Sequence, residues 1–124
     1  MKPETERWVK LAEGDLEMAS AALERELYSP CMFHCQQALE KLLKAIWVEK
    51  ASAGVPPRKH DLVELAQEVD LELSQEWIDF LADLYGQYNP SRYGDVAVAY
   101  SRDEGENYYQ RTSELFGWLR QQLS

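Results

Sequence analysis

Apolar residues recur at intervals of three and four in four segments of this chain, and this helical period most constrains its fold. The first segment, residues 4–27, predicts a long amphipathic helix. Ser29-Pro30 is predicted to interrupt it, because a proline disfavours helix in the preceding residue and fits the first turn of the next helix. A second helix is predicted over residues 30–51, and two helices joined by a tight turn form an antiparallel hairpin. The predicted stripes are Trp8, Leu11, Ala12, Leu16, Met18, Ala19, Ala22 and Leu23 in the first helix, and Met32, Cys35, Leu39, Leu42, Leu43 and Ile46 in the second.

Two breaks divide the remainder of the chain. Ser52–Lys59 contains one glycine and two prolines, a composition that stops helices and predicts a flexible connector. A short helix is predicted over Asp61–Val69, and a longer one begins at Ser74. The period fails again over Asn89–Tyr100, and a structureless loop of about 12 residues in a small domain is more often functional than not.

The last helix begins with a capping box, Ser101-Arg102-Asp103-Glu104, and is predicted to end near Gln122. Its stripe is wide enough to pack on the bundle and on a second subunit. Residues 95–100 alternate like a strand but have no partner strand, so they are interpreted as loop. The fold predicted is all-α: an up-and-down antiparallel helical bundle with one extra short helix.

Length and charge limit the domain count and the binding partners. A chain of 124 residues fits one domain, 1–124. Its formal net charge of −9 opposes a broad nucleic-acid groove, so DNA is not an expected partner. Screening beyond about 8–10 Å leaves room for a local basic pocket that holds a nucleotide or a short RNA. The sequence shows no apolar signal core and no run of about 18 apolar residues, so we expect a cytoplasmic protein without membrane contact.

The two cysteines, Cys31 and Cys35, fall four apart on one face of the second predicted helix. With His34 they could be imagined as metal ligands. The histidine points about 100° away from each at helical spacing, however, and no further cysteine is present. Buried small side chains are the preferred interpretation, and we predict neither a metal site nor a cofactor.

Asp15 is the residue that most clearly breaks the pattern, because it lies within the apolar stripe of the first helix. A buried carboxylate needs a cation or a set of hydrogen bonds. The candidate partners are Lys41, Lys44, Arg92 and His60, with one of the two lysines expected. Either a structural ion pair or a polar ligand-binding or catalytic pocket would account for it.

Two further polar groups have an ordinary and a functional interpretation. Gln37, Glu40, Lys41 and Lys44 share one arc of the second helix, which by spacing alone is typical of a solvated face. Residues 85–94 concentrate tyrosines around Arg92, and such a group either stacks on a base and holds a phosphate or covers a core.

Several segments together resemble the prokaryotic HEPN domain, a presumed nucleotide-binding module. The most specific is Gln37-Ala38-x-Glu40-Lys41-x-x-Lys44-Ala45, and the resemblance extends over essentially the whole chain. The other matching segments lie at residues 8–19, 28–36, 60–65 and 88–93.

The resemblance implies a helical bundle that is usually a homodimer and is often produced with a minimal nucleotidyltransferase as a toxin and antitoxin pair. It also implies that the polar residues form one cluster, inside the bundle or at the dimer face. The members of that implied cluster are Asp15, Gln37, Glu40, Lys41, Lys44, His60, Arg92 and Tyr93.

Many HEPN proteins are metal-independent ribonucleases with an Arg-x(4–6)-His motif, and this chain departs from that pattern. It has no histidine after His60. Histidine suits ribonuclease chemistry because its pKa of about 6.5 lets it take a proton near neutral pH. We therefore expect a non-catalytic binding module.

The alternative is an RNA endonuclease in which Arg92 steadies the phosphate and His60, or a tyrosine of the loop, is the base. The positions at which the motif would require histidine hold Ala97, Val98 and Ala99 counted from Arg92, and Asn107, Tyr108 and Tyr109 counted from Arg102.

Overall fold

Five α-helices, and no strand, account for the regular structure in the part of the chain that the computed structural model describes, residues 1–88 and 99–123. The all-α prediction is confirmed. The helices are α1 (Pro3–Glu24), α2 (Tyr28–Lys50), α3 (Leu62–Glu68), α4 (Gln75–Tyr88) and α5 (Arg102–Gln121). They pack as an antiparallel bundle in which α3 is the extra short helix. Most of the predicted loop, including Arg92 and Tyr93, lies outside the described residues.

The turn between α1 and α2 comes earlier than the proline predicts. Glu26 adopts a left-handed conformation with a φ of 61°. The amide of Leu27 donates to the carbonyl of Ala22 at 2.8 Å, and that of Glu26 donates to the carbonyl of Leu23 at 3.0 Å. This pair of bonds is the Schellman arrangement, which satisfies the last carbonyls of α1. The prediction that Ser29-Pro30 ends the helix is therefore wrong. Pro30 is the third residue of α2, where its missing N–H removes no helical bond.

The second helix is the centre of the bundle, because α1, α3, α4 and α5 all pack on it. Thirteen of its 23 residues are buried, which is far more than one amphipathic stripe requires. The predicted stripe from Met32 to Ile46 is confirmed, and the burial continues past it on both sides. A helix surrounded in this way has little solvated surface, and its polar residues must find partners inside the protein.

The packing face of α1 is rotated from the predicted stripe. Leu11 and Met18 are 54% and 53% exposed, so the prediction that they belong to the core is wrong. Thr5 and Val9 are buried instead, with Ala12 at the centre of the contact. Ala19 and Ala22 are also buried on this side of α1, so small side chains form much of its packing face.

Side-chain caps set the starts of three helices. Asp61 accepts hydrogen bonds from the amides of the first turn of α3. Ser74 Oγ accepts from the amide of Trp77 at 3.2 Å at the start of α4. In α5 the predicted capping box is confirmed: Ser101 Oγ accepts from the amide of Glu104 at 3.1 Å, and Glu104 Oε1 accepts from the amide of Ser101 at 3.0 Å. None of the helices in the described residues is both long and apolar enough to cross a membrane.

Candidate functional site

One buried polar cluster joins α1 to α2, and it consists of Asp15, His34 and Lys41; we call it the α1–α2 cluster. Asp15 is only 8% exposed. Its Oδ2 accepts a hydrogen bond from Lys41 Nζ at 2.5 Å, and its Oδ1 lies 2.9 Å from His34 Nδ1. The predictions that Asp15 is buried and contacts one of the two lysines are confirmed, and the lysine is Lys41.

His34 is the member of the α1–α2 cluster that sequence reasoning missed. In the sequence it stands out only as a neighbour of the two cysteines, from which it points away. The signal that could have found it is its spacing from Lys41. Seven residues are close to two full turns, so both side chains lie on the same side of α2 and can reach one carboxylate.

A second polar cluster lies where α2 meets residue 60, and it consists of Glu40, Lys44 and His60; we call it the α2–connector cluster. Glu40 Oε2 accepts from Lys44 Nζ at 3.1 Å, and both side chains are buried. Both oxygens of Glu40 also lie 3.2 Å from His60 Nδ1. The backbone carbonyl of His60 accepts from Gln36 Nε2 at 3.0 Å. Thus α2 holds the end of the connector through both its backbone and its side chain.

The structure divides the single polar cluster implied by the resemblance into these two. Lys44 and His60 contact Glu40 and not Asp15. The interpretation of the arc on α2 as a solvated face is wrong for Glu40 and Lys44, because both are buried: His60 lies against Glu40, and Trp8 of α1 lies near Lys44. Gln37 is half-buried on the arc of α2 between the two clusters, and its side-chain amide makes no hydrogen bond with any residue that the structure describes.

A cavity of about 380 Å³ lies between the first turns of α1, the end of α2 and the connector. One wall is formed by the connector, whose backbone turns at Gly54 with a φ of 103°. Lys44 reaches this cavity from the α2–connector cluster, with its Nζ 5.8 Å from the centre of the Trp8 ring. The sequence did not predict this cavity, because the connector that closes it has no helical or strand periodicity from which its position could be inferred. It is lined by Glu4, Arg7, Trp8, Lys44, Val48, Gly54, Val55, Pro56, Pro57 and Arg58.

Cys31 and Cys35 are free thiols in the hydrophobic core of the bundle, which confirms their interpretation as buried small side chains. Their side chains are hydrogen-bonded to each other. This bond and burial raise the pKa of Cys35, whereas accepting the bond lowers the pKa of Cys31. Within residues 1–88 and 99–123, no three His, Cys, Asp or Glu side chains are grouped closely enough to hold a metal ion.

The fold and these clusters define a small antiparallel helical domain whose central helix forms one ion pair with α1, through Lys41, and one within itself, between Glu40 and Lys44. The chain belongs to the HEPN family: the model of the HEPN domain matches residues 5–122. Two solved structures are similar to it over their whole length. One is TT1696 from Thermus thermophilus, with a TM-score of 0.82 at 22% identity, covering 97% of this chain and 98% of that one. The other is ST0689, an archaeal HEPN homologue, with a TM-score of 0.79 at 27% identity and full coverage of both chains. No curated protein matches the chain.

Proposed function

We propose that this chain is a non-catalytic HEPN binding module that acts as a homodimer and docks on a minimal nucleotidyltransferase, as one component of a toxin–antitoxin pair, with a nucleotide as its second class of ligand. The observation that carries the proposal is the surface around the α1–α2 cluster. There, the partly exposed side chains of Lys41 and His34 lie beside Asp15 of α1, whose neighbouring apolar side chains the fold leaves uncovered.

The apolar part of this surface is formed by Leu11 and Met18. At about 100° per residue, they lie about 40° and 60° from Asp15 around α1, on the side away from the core. Both are more than half exposed, and they fall seven residues apart, so they form one stripe along the helix. An uncovered apolar stripe beside polar groups is typical of a protein-binding surface.

The polar part is formed by Lys41 and His34, whose side chains are 26% and 22% exposed although both contact Asp15. A partner carboxylate could therefore reach them without unfolding either helix. The half-buried amide of Gln37 lies on the same side of α2 and has donors and an acceptor to offer. The acidic chain as a whole favours a protein partner over a nucleic acid at this surface.

Co-expression with a minimal nucleotidyltransferase, taken from the neighbouring reading frame where that frame encodes one, tests the proposal. The wild-type chain is expected to co-purify with it, and Leu11→Glu and Lys41→Glu to abolish co-purification. Lys10→Glu makes the same charge change as Lys41→Glu on an exposed face of α1 away from the cluster, and it should leave the complex intact.

Two results would count against this proposal. Failure of the chain to co-purify, together with no heat of binding across a nucleotide panel, would remove its support. Light scattering gives a further outcome: if Leu11→Glu converts a dimer to a monomer, the surface belongs to the homodimer and not to the nucleotidyltransferase.

A second candidate is an RNA endonuclease, and the contact between Glu40 and His60 favours it. A carboxylate that accepts from Nδ1–H fixes the tautomer in which Nε2 can take a proton. The His60 side chain is 64% exposed, so a substrate could reach it. Pure protein should then degrade RNA, and His60→Ala and Arg92→Ala should each stop it. Degradation that is unchanged in both variants would indicate a contaminating nuclease.

A further inference from the structure

We propose that the groove between α1 and α5 is a docking site for one basic amphipathic helix of a protein partner. The apolar face of that helix would lie on Tyr109, and its lysines or arginines would meet carboxylates on both rims. We call this feature the α1–α5 groove. It is lined on one side by Glu13, Gly14 and Glu17 of α1, and on the other by Tyr109, Ser113 and Glu114 of α5.

The α1–α5 groove exists because α1 and α5 both pack on α2 and touch each other much less than either touches α2. The two helices run in opposite directions: a Cβ added at Gly105, near the start of α5, would lie 3.5 Å from the side chain of Leu23, near the end of α1. Two adjoining depressions follow the line between them, and Tyr109 belongs to both. Along α1 they extend from Lys10 to Leu23, which is about 20 Å and leaves room for nearly four turns of another helix.

The shape of the α1–α5 groove suits a helix better than a small molecule or an extended peptide. Its rims are exposed, whereas small-ligand sites enclose most of the ligand. Both walls are helices, whose backbone groups are already bonded, so they offer no edge to which a strand could add. Gly14 has no side chain, and a Cβ added there would meet nothing within 4 Å. A helix can therefore approach α1 closely at this point and place its side chains between those of α1 and α5.

The floor of the α1–α5 groove is apolar and aromatic. Leu16, Leu23 and Tyr109 are half-buried against the core, and Phe116 is buried beside them. The Tyr109 hydroxyl makes no hydrogen bond with any residue that the structure describes, so it is available to a partner. Tyrosine combines a large apolar ring with a polar end, which makes it a common residue of protein interfaces.

The charges on the rims require a basic occupant. Glu13, Glu17 and Glu114 are exposed, and none of them forms an ion pair with any described residue. A fourth carboxylate, that of Glu106, already pairs with an arginine one turn away, so it contributes little. Among the described residues that line the groove, Lys10 alone is a cation. Carboxylates on both rims therefore attract a segment that carries positive charge on both sides of an apolar face.

Neither a second copy nor the partner of the α1–α2 cluster accounts for this groove. A second copy of the chain has the wrong sign, because its formal net charge is −9. Glu13 and Ser20 each follow Leu11 and Met18 by two residues, and at about 100° per residue this places them about 160° away around α1. The groove and the surface around the α1–α2 cluster can therefore be occupied at the same time by different partners.

Fluorescence anisotropy of labelled synthetic peptides tests the proposal on the full chain. The probe is a helical peptide of about 18 residues, or five turns, with leucine and alanine on one face and lysine on its flanks. The control peptide has glutamate in place of every lysine. The lysine peptide is expected to bind at least about tenfold more tightly than the glutamate peptide. Raising the salt from about 0.1 M to 1 M, which shortens the Debye length from about 10 Å to 3 Å, should weaken its binding at least about threefold.

A variant that fills the groove without disturbing the fold locates the binding site. Gly14→Leu should raise the melting temperature, because leucine favours a helix and meets open space, yet it should weaken the lysine peptide at least about tenfold. Ala82→Leu adds a leucine at an exposed position of α4 and should bind the peptide as wild type does. The double variant Glu13→Lys, Glu17→Lys changes only exposed side chains and should weaken the peptide by a similar factor.

Three results would overturn the proposal: no binding at millimolar lysine peptide, equal binding of the two peptides, or unchanged binding in Gly14→Leu. Sedimentation velocity adds a fourth, since a wild-type dimer that becomes a monomer in Gly14→Leu would assign the groove to a second copy. The outcome is independent of the proposed function. Lys41→Glu should lose the nucleotidyltransferase and keep the lysine peptide, whereas Gly14→Leu should do the reverse.

Discussion

Replacing Asp15 with asparagine is expected to lower the free energy of unfolding by about 2 kcal/mol. Removing one member of a fully buried ion pair typically costs about 3–5 kcal/mol, and an exposed pair is worth about 0–1 kcal/mol. Asp15 is buried, but Lys41 and His34 retain about a quarter of their exposure. The stranded lysine can therefore recover part of its hydration, which places the cost between the two limits. Asparagine keeps an oxygen acceptor and avoids a cavity, so the change reports mainly on charge.

Urea unfolding followed by circular dichroism measures this cost, and a double-mutant cycle with Lys41→Met isolates the pair. The expected coupling energy between Asp15 and Lys41 is about 1–2 kcal/mol. Glu13→Gln removes an exposed carboxylate two residues away and should change stability by less than about 0.5 kcal/mol. A coupling energy below about 0.5 kcal/mol would refute the argument that this pair ties α1 to α2. Unchanged stability in Asp15→Asn together with loss of partner binding would make Asp15 a binding residue instead.

Three further predictions follow from the helix contacts. Gly105→Ala should lower the melting temperature, because an added Cβ would lie 2.7 Å from the ring of Tyr28. Gly117→Ala serves as its control in the same thermal melts: an added Cβ there meets nothing within 4 Å, and alanine should stabilise the helix by about 0.5–1 kcal/mol. Ser101→Ala should cost about 1 kcal/mol in urea unfolding through loss of the capping box, and an unchanged midpoint would contradict this. Burial and the hydrogen bond that Tyr108 donates to Asp83 raise the pKa of Tyr108 above its usual value. The unfolded chain then ionises first, so stability should fall as pH rises above about 10, and Tyr108→Phe should make that fall shallower.

The sequence predicted those features that depend on neighbours along the chain. The capping box at Ser101 needs only four consecutive residues, and the core stripe of α2 needs only the helical period. The pairing of Asp15 with Lys41 or Lys44 was also predictable, because a buried carboxylate requires a cation and few were within reach; only the structure distinguishes Lys41 from Lys44.

The features that were missed depend on packing between distant segments. The turn after α1 depends on Glu26, which adopts the left-handed conformation where glycine is the usual residue. The composition of this segment therefore gave no indication of the turn. Glu40 is buried because the end of the connector folds back onto α2 at His60. The same connector closes the cavity between α1 and α2. The rotation of α1 that exposes Leu11 and Met18 was also missed, because apolar residues lie on more than one side of this helix and the period does not show which side packs on α2.

Because α2 lies at the centre of the bundle, sequence similarity in that helix reports on the fold. The segment that most resembles the HEPN family, residues 37–45, lies in the middle of the helix on which every other helix packs. Its glutamate and both its lysines form ion pairs within the fold, so these three side chains contribute to stability whatever the domain binds. Sequence similarity in this segment therefore indicates the same fold. What distinguishes one member of the family from another is expected at its periphery, on the outward side of α1 and along the connector.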